Sequence, residues 1–305
     1  MWADKLRVVW DPEPSRGRPV FLHRKLWEWI FIIEALSERG MLTPGRRGLG
    51  FGVGQDPLAA VLASHGVSVV ATDADEQIAE AGGWRETGQH ASSIADLNKH
   101  QFCDEATFKR LVEYRPVDMN DIPSDLRDFD FTWSSCAFEH LGSVEHGLQF
   151  VLAQMECLKP GGFAVHTTEF NVSSNRETVD EAQTVLFRRR DIERLVRELR
   201  DDNHVIDVDF ATGRTPADLH VDAPPFTETH LKIRVSGFAT TSLGLIIEKN
   251  PWPPDGAGVV KHQVNATTDG LRPWVADARA WLKEGTALSG RAVRGLQRRV
   301  RRVQG

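Results

Sequence analysis

The run Gly50-Phe51-Gly52-Val53-Gly54 most constrains what this chain can fold into, because a Gly-x-Gly-x-Gly segment lets the backbone turn tightly and approach a ligand closely. A short strand, Arg47 to Gly50, leads into it. A helix starting near Asp56-Pro57 and stopping at Gly66 leads out of it. The apolar run Val67-Ser68-Val69-Val70-Ala71-Thr72 then ends at Asp73, about 20 residues beyond the loop. That is the distance a strand-loop-helix-strand unit needs to bring an acid to a ribose diol. Gly50, Gly52, Gly54 and Asp73 are therefore predicted to bind an adenosine cofactor. The third glycine follows the second by two residues instead of three, so the spacing is not that of the dinucleotide fingerprint.

Three further runs follow in order: Val117-Asp118-Met119, then Phe129-Asp130-Phe131-Thr132-Trp133-Ser134-Ser135, then Leu158-Lys159-Pro160-Gly161-Gly162-Phe163-Ala164-Val165. Together with the glycine loop they resemble the class I S-adenosylmethionine (SAM) methyltransferases over roughly residues 44 to 250. The resemblance implies an α/β fold: a Rossmann-like, seven-stranded, mostly parallel sheet of order 3-2-1-4-5-7-6 with helices on both faces. It also implies SAM as cofactor, with Asp118 and Met119 at the adenine and Ser134 beside the methionyl end. One position departs from the family, which usually carries an acid two residues before the first glycine, where this chain has Gly48. Backbone carbonyls near Gly50 and Ser134 are expected to hold the cofactor's ammonium instead.

Composition narrows the class. A chain of 305 residues can bury one large core, read here as residues 1–43 forming a helical lid segment, 44–250 the cofactor-binding domain, and 251–305 a helical extension with a basic tail. Thirty-seven basic against 43 acidic residues give a net charge of −6, which excludes a protein built to coat nucleic acid. No apolar run approaches the ~20 residues of a membrane span. The start, Met1-Trp2-Ala3-Asp4-Lys5, is not a secretion signal, and Cys103, Cys136 and Cys157 are too few and scattered for a disulfide framework, so a cytoplasmic setting is expected. A homo-oligomer is compatible with all of this.

Pro19 to Gly40 is predicted helical, with Leu22, Leu26, Ile30 and Ile33 recurring on one side. Two readings of it stay open: a lid placing His23, Arg24 and Trp27 over the cofactor, or an amphipathic helix packed on the sheet edge. The segment Glu80 to Asn98 holds Trp84 near the ribose end, beside adenine or in a satellite core. Further helices are expected at Glu105 to Glu113, Val144 to Leu158 and Arg190 to Arg200. Strands are expected at Arg115 to Asp118, Asp130 to Ser134, Phe163 to Thr168, Val205 to Phe210 and Leu243 to Glu248, the last two antiparallel. Residues 211–236, with Pro216, Pro224 and Pro225, are too long for a bare connection and are read as a loop of the acceptor pocket. In the tail, Val275 to Leu282 and Ser289 to Val303 are read as helices. Arg291, Arg294, Arg298, Arg299, Arg301 and Arg302 make either a basic face or a solvated terminus.

Ligands of a parallel sheet bind at the carboxyl ends of its strands. There strand four delivers Ser134-Ser135-Cys136-Ala137-Phe138-Glu139-His140 and strand five Thr167-Thr168-Glu169-Phe170-Asn171. Methyl transfer from a sulfonium needs mainly in-line placement, whereas an alcohol acceptor needs a base or a metal. His140 is the candidate base, with Glu139 beside it to orient it. Glu169, Glu139 and His230 are candidate ligands for magnesium, which favours oxygen donors. The Glu139-His140 pair is similar to a metal-binding pair of quinone O-methyltransferases, although a glutamate at such a turn also serves as a mere helix cap. His166 is read as a core histidine, and His230 either faces the acceptor or lies on the surface. Asp209, Asp222 and Glu228 are further candidates.

The strings Thr167 to Asn171, His230 to Ile233 and Ser236 to Ser242 resemble those of sugar O-methyltransferases of methylmannose polysaccharide synthesis. This implies a small saccharide acceptor, a mannoside precursor methylated on a hydroxyl, with Trp27, Trp29 or Trp133 as an aromatic platform or as core. Two other readings stay open: O-methylation of a quinone or other secondary metabolite, and a SAM-binding scaffold or sensor without turnover.

Overall fold

In the computed structural model, the described residues are 6, 9, 23–81, 89–91, 93–226 and 228–251. Pro19, Trp84, the basic tail and the two helices expected at its end lie outside them.

Alternating apolar runs and glycine-punctuated turns produce one mostly parallel sheet. Its strands are β1 (Arg47–Gly50), β2 (Ser68–Asp73), β3 (Val112–Pro116), β4 (Phe129–Ser135), β5 (Leu158–Asn171), β6 (Val205–Asp207), β7 (Lys232–Val235) and β8 (Phe238–Glu248). Their order is β3-β2-β1-β4-β5-β8-β6, with β7 paired to β8 off this path. The first five strands run parallel, and β8 pairs antiparallel with β5, β6 and β7. This is the Rossmann-like sheet expected, with one strand more. The segment 211–236, read as a loop of the acceptor pocket, carries regular structure: besides β7 it holds the short helix α7 (Pro216–Leu219). Asp218 caps that helix by accepting from Thr215 N at 2.9 Å.

The remaining helices are α1 (Arg24–Glu38), α2 (Leu58–Ser64), α3 (Glu76–Ala81), α4 (Glu105–Leu111), α5 (Val144–Ala153) and α6 (Arg189–Asp201). Helix α1 starts where His23 Nδ1 accepts from Lys25 N at 3.1 Å. From Leu26 to Ile33 every residue of α1 is buried, as expected of a helix that is apolar all round. It packs across β4, β5 and β8. A Cβ at Gly244 of β8 would come within 2.2 Å of the Phe31 ring, so only glycine admits this helix. Strand ends differ from expectation where pairing outruns the apolar run: β5 starts at Leu158, opposite Phe129, and Pro160-Gly161-Gly162 becomes an irregularity inside it.

Strand alternation sends side chains to two cores. One joins α1 and α2 to Phe131, Trp133 and Val165, and the other joins α5 and α6 to Leu49, Phe51, Phe129 and Leu245. Trp133 is 1 % exposed and Trp29 3 % exposed, both in the first core, so neither offers a platform to a ligand.

Candidate cofactor and acceptor site

The strand order reverses between β1 and β4, and in an open α/β sheet the crevice beyond that switch point is where a ligand binds. On its β1 side the glycine loop folds by main-chain bonds. Phe51 N donates to Trp133 O at 2.9 Å and Val53 N to Thr72 O at 3.0 Å. Gly54 has φ +52°, and a Cβ there would come within 2.5 Å of Gln89 O. A Cβ at Gly52, also at positive φ, would come within 2.7 Å of the Ala137 Cβ and 3.2 Å of Met119 Sδ. Met119 is buried against this turn, whereas Asp118 is exposed and accepts from Asn120 N at 2.8 Å.

Asp73 is 7 % exposed and bound to main chain throughout. Oδ2 accepts from Gly54 N at 3.0 Å and Ala91 N at 3.2 Å, and Oδ1 from Ala74 N at 2.9 Å. Burial raises its pKa against those donors. The predicted ribose ligand thus also braces the loop. Ser134 is fully buried, its Oγ 2.8 Å from His166 Nδ1, so its side chain serves the core.

At Gly48, where the resemblance leads one to expect an acid, the Phe131 ring takes the side-chain space: a Cβ there would come within 2.4 Å of Phe131 Cζ. Carboxylates reach the crevice from elsewhere. Glu28, 1 % exposed, comes down from α1, and Asp56 follows the glycine loop. Between them stands the Lys25 ammonium, which donates to the Ser135 carbonyl at 2.7 Å and Ser135 Oγ at 3.1 Å, with Glu28 Oε2 at 3.3 Å and Asp56 Oδ2 at 3.5 Å. Ser242 Oγ also donates to Glu28, at 2.5 Å. Burial would raise the Glu28 carboxyl, yet Lys25 and Arg24 bring it down to about 2. Sequence reasoning misses Lys25 and Glu28. The signal available is a charged pair at i, i+3 inside an otherwise apolar helical run, which on a buried helix marks a polar destination.

Beyond the β5 end, Glu169 accepts from Arg24 and from Thr240. His230 Nδ1 lies 2.7 Å from Asp222 Oδ2, its ring stacks on His23 at 4.7 Å, and its carbonyl accepts from Arg24 N at 2.9 Å. The insertion therefore clamps the start of α1. Glu139, 1 % exposed, accepts from Thr168 Oγ1 at 3.1 Å, and burial raises its carboxyl pKa. Among the described residues, Glu139, Glu169 and His230, expected to hold magnesium, are not a group whose potential ligand atoms all lie within 4.8 Å of one another. Among the described residues the potential ligand atoms that do gather belong to His220, Asp222 and Glu228. Asp209 caps Ala211 N at 2.8 Å.

His140 follows a turn that begins at Cys136, whose φ of +49° redirects the chain out of β4. Its Nδ1 lies 3.0 Å from Gln183 O. A carbonyl only accepts, so Nδ1 carries the proton and, in the neutral ring, Nε2 carries the lone pair. Separately, a cleft opens beside α1, lined by Trp27 and Arg24, by Thr212 and Asp218 of the insertion, and by Lys232 and Thr241 of the β7–β8 pair.

Residues 49–166, which contain the glycine loop, Asp73, β4 and the Glu139-His140 turn, match the family model described as a methyltransferase domain. No curated protein matches the chain by sequence. Similar solved structures include a protein assigned as a sarcosine dimethylglycine methyltransferase from Galdieria sulphuraria, at 14 % identity and TM-score 0.48, covering 82 % of this chain and 98 % of that one. Magnesium protoporphyrin IX methyltransferase from Synechocystis PCC 6803 is similar at 12 % identity and TM-score 0.45, over 73 % and 82 % of the two chains. Phosphoethanolamine N-methyltransferase 2 from Haemonchus contortus is similar at 15 % identity and TM-score 0.45, over 73 % of this chain and 53 % of that one, so this chain spans about half its length. No helix among the described residues is long and apolar enough to cross a membrane.

Proposed function

We propose that the protein is a SAM-dependent O-methyltransferase that methylates a hydroxyl of a small saccharide, a mannoside being the first candidate. The observation that carries this reading is the lining of the cleft beside α1. It is lined by Trp27, itself 5 % exposed, by the hydroxyl-bearing Thr212 and Thr241, and by the charged Asp218 and Lys232. A saccharide needs that mixture, and an apolar quinone ring does not.

The tight glycine turn, with Asp73 bound to its Gly54 amide and Met119 packed against it, supports the reading of an adenosine site at the β1–β2 end. SAM, when bound, supplies a methyl group already activated on a sulfonium. The acceptor oxygen must then lose its proton as the new C–O bond forms and the C–S bond breaks. His140 suits this task in the tautomer fixed by Gln183, taking the hydroxyl proton at Nε2. No step is assigned to magnesium.

The experiment is transfer of labelled methyl from SAM to a panel of mannosides, glucosides and quinols, with SAM binding measured in parallel. Label on a sugar supports the reading. Label on a quinol alone replaces it, and SAM binding without transfer to any acceptor points to a scaffold or sensor.

A further inference from the structure

The ion cluster over the β1–β4 crevice has the composition of an ammonium-binding site: one main-chain carbonyl, one hydroxyl and two carboxylates around a single –NH3+ group. Two of these elements belong to the crevice itself. Ser135 ends β4, and Asp56 follows the glycine loop. The third, Glu28, brings a buried carboxylate from α1, which accepts from Ser135 Oγ at 3.4 Å. The ammonium occupying this site belongs to Lys25, whose side chain is still 25 % exposed, leaving it a way out on a flexible four-carbon stem.

We propose that Glu28, Asp56 and the Ser135 carbonyl bind the α-ammonium of SAM, and that Lys25 fills this site as an internal stand-in which the cofactor must displace. The proposal rests on the SAM reading above. Exchanging one ammonium for another leaves the site's charge unchanged, so neither carboxylate is stranded in the interior during binding. Burial opposes the Lys25 charge, but Asp56 and Glu28 raise its pKa above the ordinary lysine value, so a cation occupies the site before and after the exchange. The consequence is selectivity. An adenosine thioether that carries an ammonium can evict the lysine, whereas one without it gains nothing from this corner and binds with Lys25 in place. Lys25 is in this sense a specificity-determining residue.

The test compares S-adenosylhomocysteine with 5′-methylthioadenosine, which lacks the amino-acid moiety. Calorimetric titration of the full chain should show Lys25→Gln tightening S-adenosylhomocysteine about tenfold or more, and Glu28→Gln weakening it by a similar factor, with methylthioadenosine unchanged in both. In the unmutated protein, acylation of Lys25 by an amine-reactive reagent, read by mass spectrometry, should rise on saturation with S-adenosylhomocysteine and not with methylthioadenosine. This footprint decides the matter if either variant fails to fold. Weaker S-adenosylhomocysteine binding by Lys25→Gln, or a Lys25 whose reactivity falls or stays constant on binding, overturns the proposal. Binding of neither nucleoside would remove the SAM reading itself, and the stand-in with it.

Discussion

The two banks of the crevice are built on opposite principles. On the β1–β2 bank, side chains hold main-chain groups close in sequence: Gly54 N and Ala91 N reach the Asp73 carboxylate across 19 and 18 residues, and Thr72 Oγ1 reaches Gly50 O across 22. On the α1–β4–β5–β8 bank, side chains meet from far apart: Lys25 and Ser135 across 110 residues, Arg24 and Glu169 across 145, Glu28 and Ser242 across 214. The first bank combines glycine geometry with two short side chains, Thr72 and Asp73, bound to backbone. The second exists only while α1 is docked, and each of its carboxylates holds an element in place. A turn of backbone suits a ligand part that never varies, and long-range side chains suit the part that distinguishes one reaction from another.

The largest effect expected breaks the second bank. Glu169→Ala leaves the Arg24 guanidinium and the Thr240 hydroxyl without their acceptor. Stranding one member of a buried pair costs about 3 to 5 kcal/mol, and because the Arg24 side chain is 21 % exposed the expected loss is at the lower end, ~3 kcal/mol. Urea unfolding should show this as a lower midpoint, and a midpoint unchanged within ~0.5 kcal/mol would mean that α1 is not held by this pair. Next comes His140→Ala, which touches neither bank's framework. Turnover on the acceptor identified by the methyl-transfer panel should fall about 10²-fold, equivalent to roughly 2.7 kcal/mol of barrier, with SAM affinity unchanged and stability lowered by no more than about 1 kcal/mol for the lost Gln183 and Thr184 contacts. Retained turnover would make the histidine a tether for the 183–184 segment.

The contrast also separates what was legible in the sequence from what was not. The glycine loop and Asp73 are local patterns that fix β1 at Arg47–Gly50 and the β2 end at Asp73, whereas the sheet order was implied by the family resemblance those patterns carry. Strand β7 was hidden in the insertion because Lys232-Ile233-Arg234-Val235 is short and acquires its strand character by pairing with β8. The Lys25–Glu28–Asp56–Ser135 cluster was hidden for a different reason: no local pattern states which distant carbonyl a helical lysine will reach. Glu139, Glu169 and His230, expected together, are not a tight ligand group among the described residues, since adjacency of strand ends does not determine which partner a side chain takes. Gly48 was visible as a departure, but the Phe131 ring that takes its side-chain space needed the β1–β4 register.

A smaller effect sharpens the comparison through pH. His166, fully buried on β5, has its pKa lowered by burial to about 3. Its folded value lies below the ordinary 6.5, so the fold favours the neutral ring. The stability this gives is complete above pH 6.5 and is lost as pH falls from there toward 3. At pH 5, about 1.5 pH units below the ordinary value, roughly 2 kcal/mol should be gone. His23 acts in the same direction, lowered to about 3 by burial and by His230, while Glu139, raised by burial, acts oppositely. The informative quantity is therefore the difference in pH dependence between the unmutated protein and His166→Gln, which should lose less stability between pH 7.5 and 5. Parallel curves would show that protonating the ring costs the fold nothing.

The smallest effect tests the first bank by comparing two glycines with similar φ. Gly40, after α1, has φ +67° with nothing within 4 Å of where a Cβ would stand, and Gly54 has φ +52° with Gln89 O at 2.5 Å. Alanine at position 40 should cost only the left-handed backbone term, about 1 kcal/mol, and leave SAM binding intact. Alanine at position 54 carries the same term plus the displacement of a main-chain carbonyl, about 2 kcal/mol in all, and moves the amide that Asp73 receives. If the first bank works by backbone placement, SAM affinity falls for Gly54→Ala and not for Gly40→Ala at matched stability. Equal affinities would mean that the loop yields without consequence, and that the side chains of the second bank hold the cofactor by themselves.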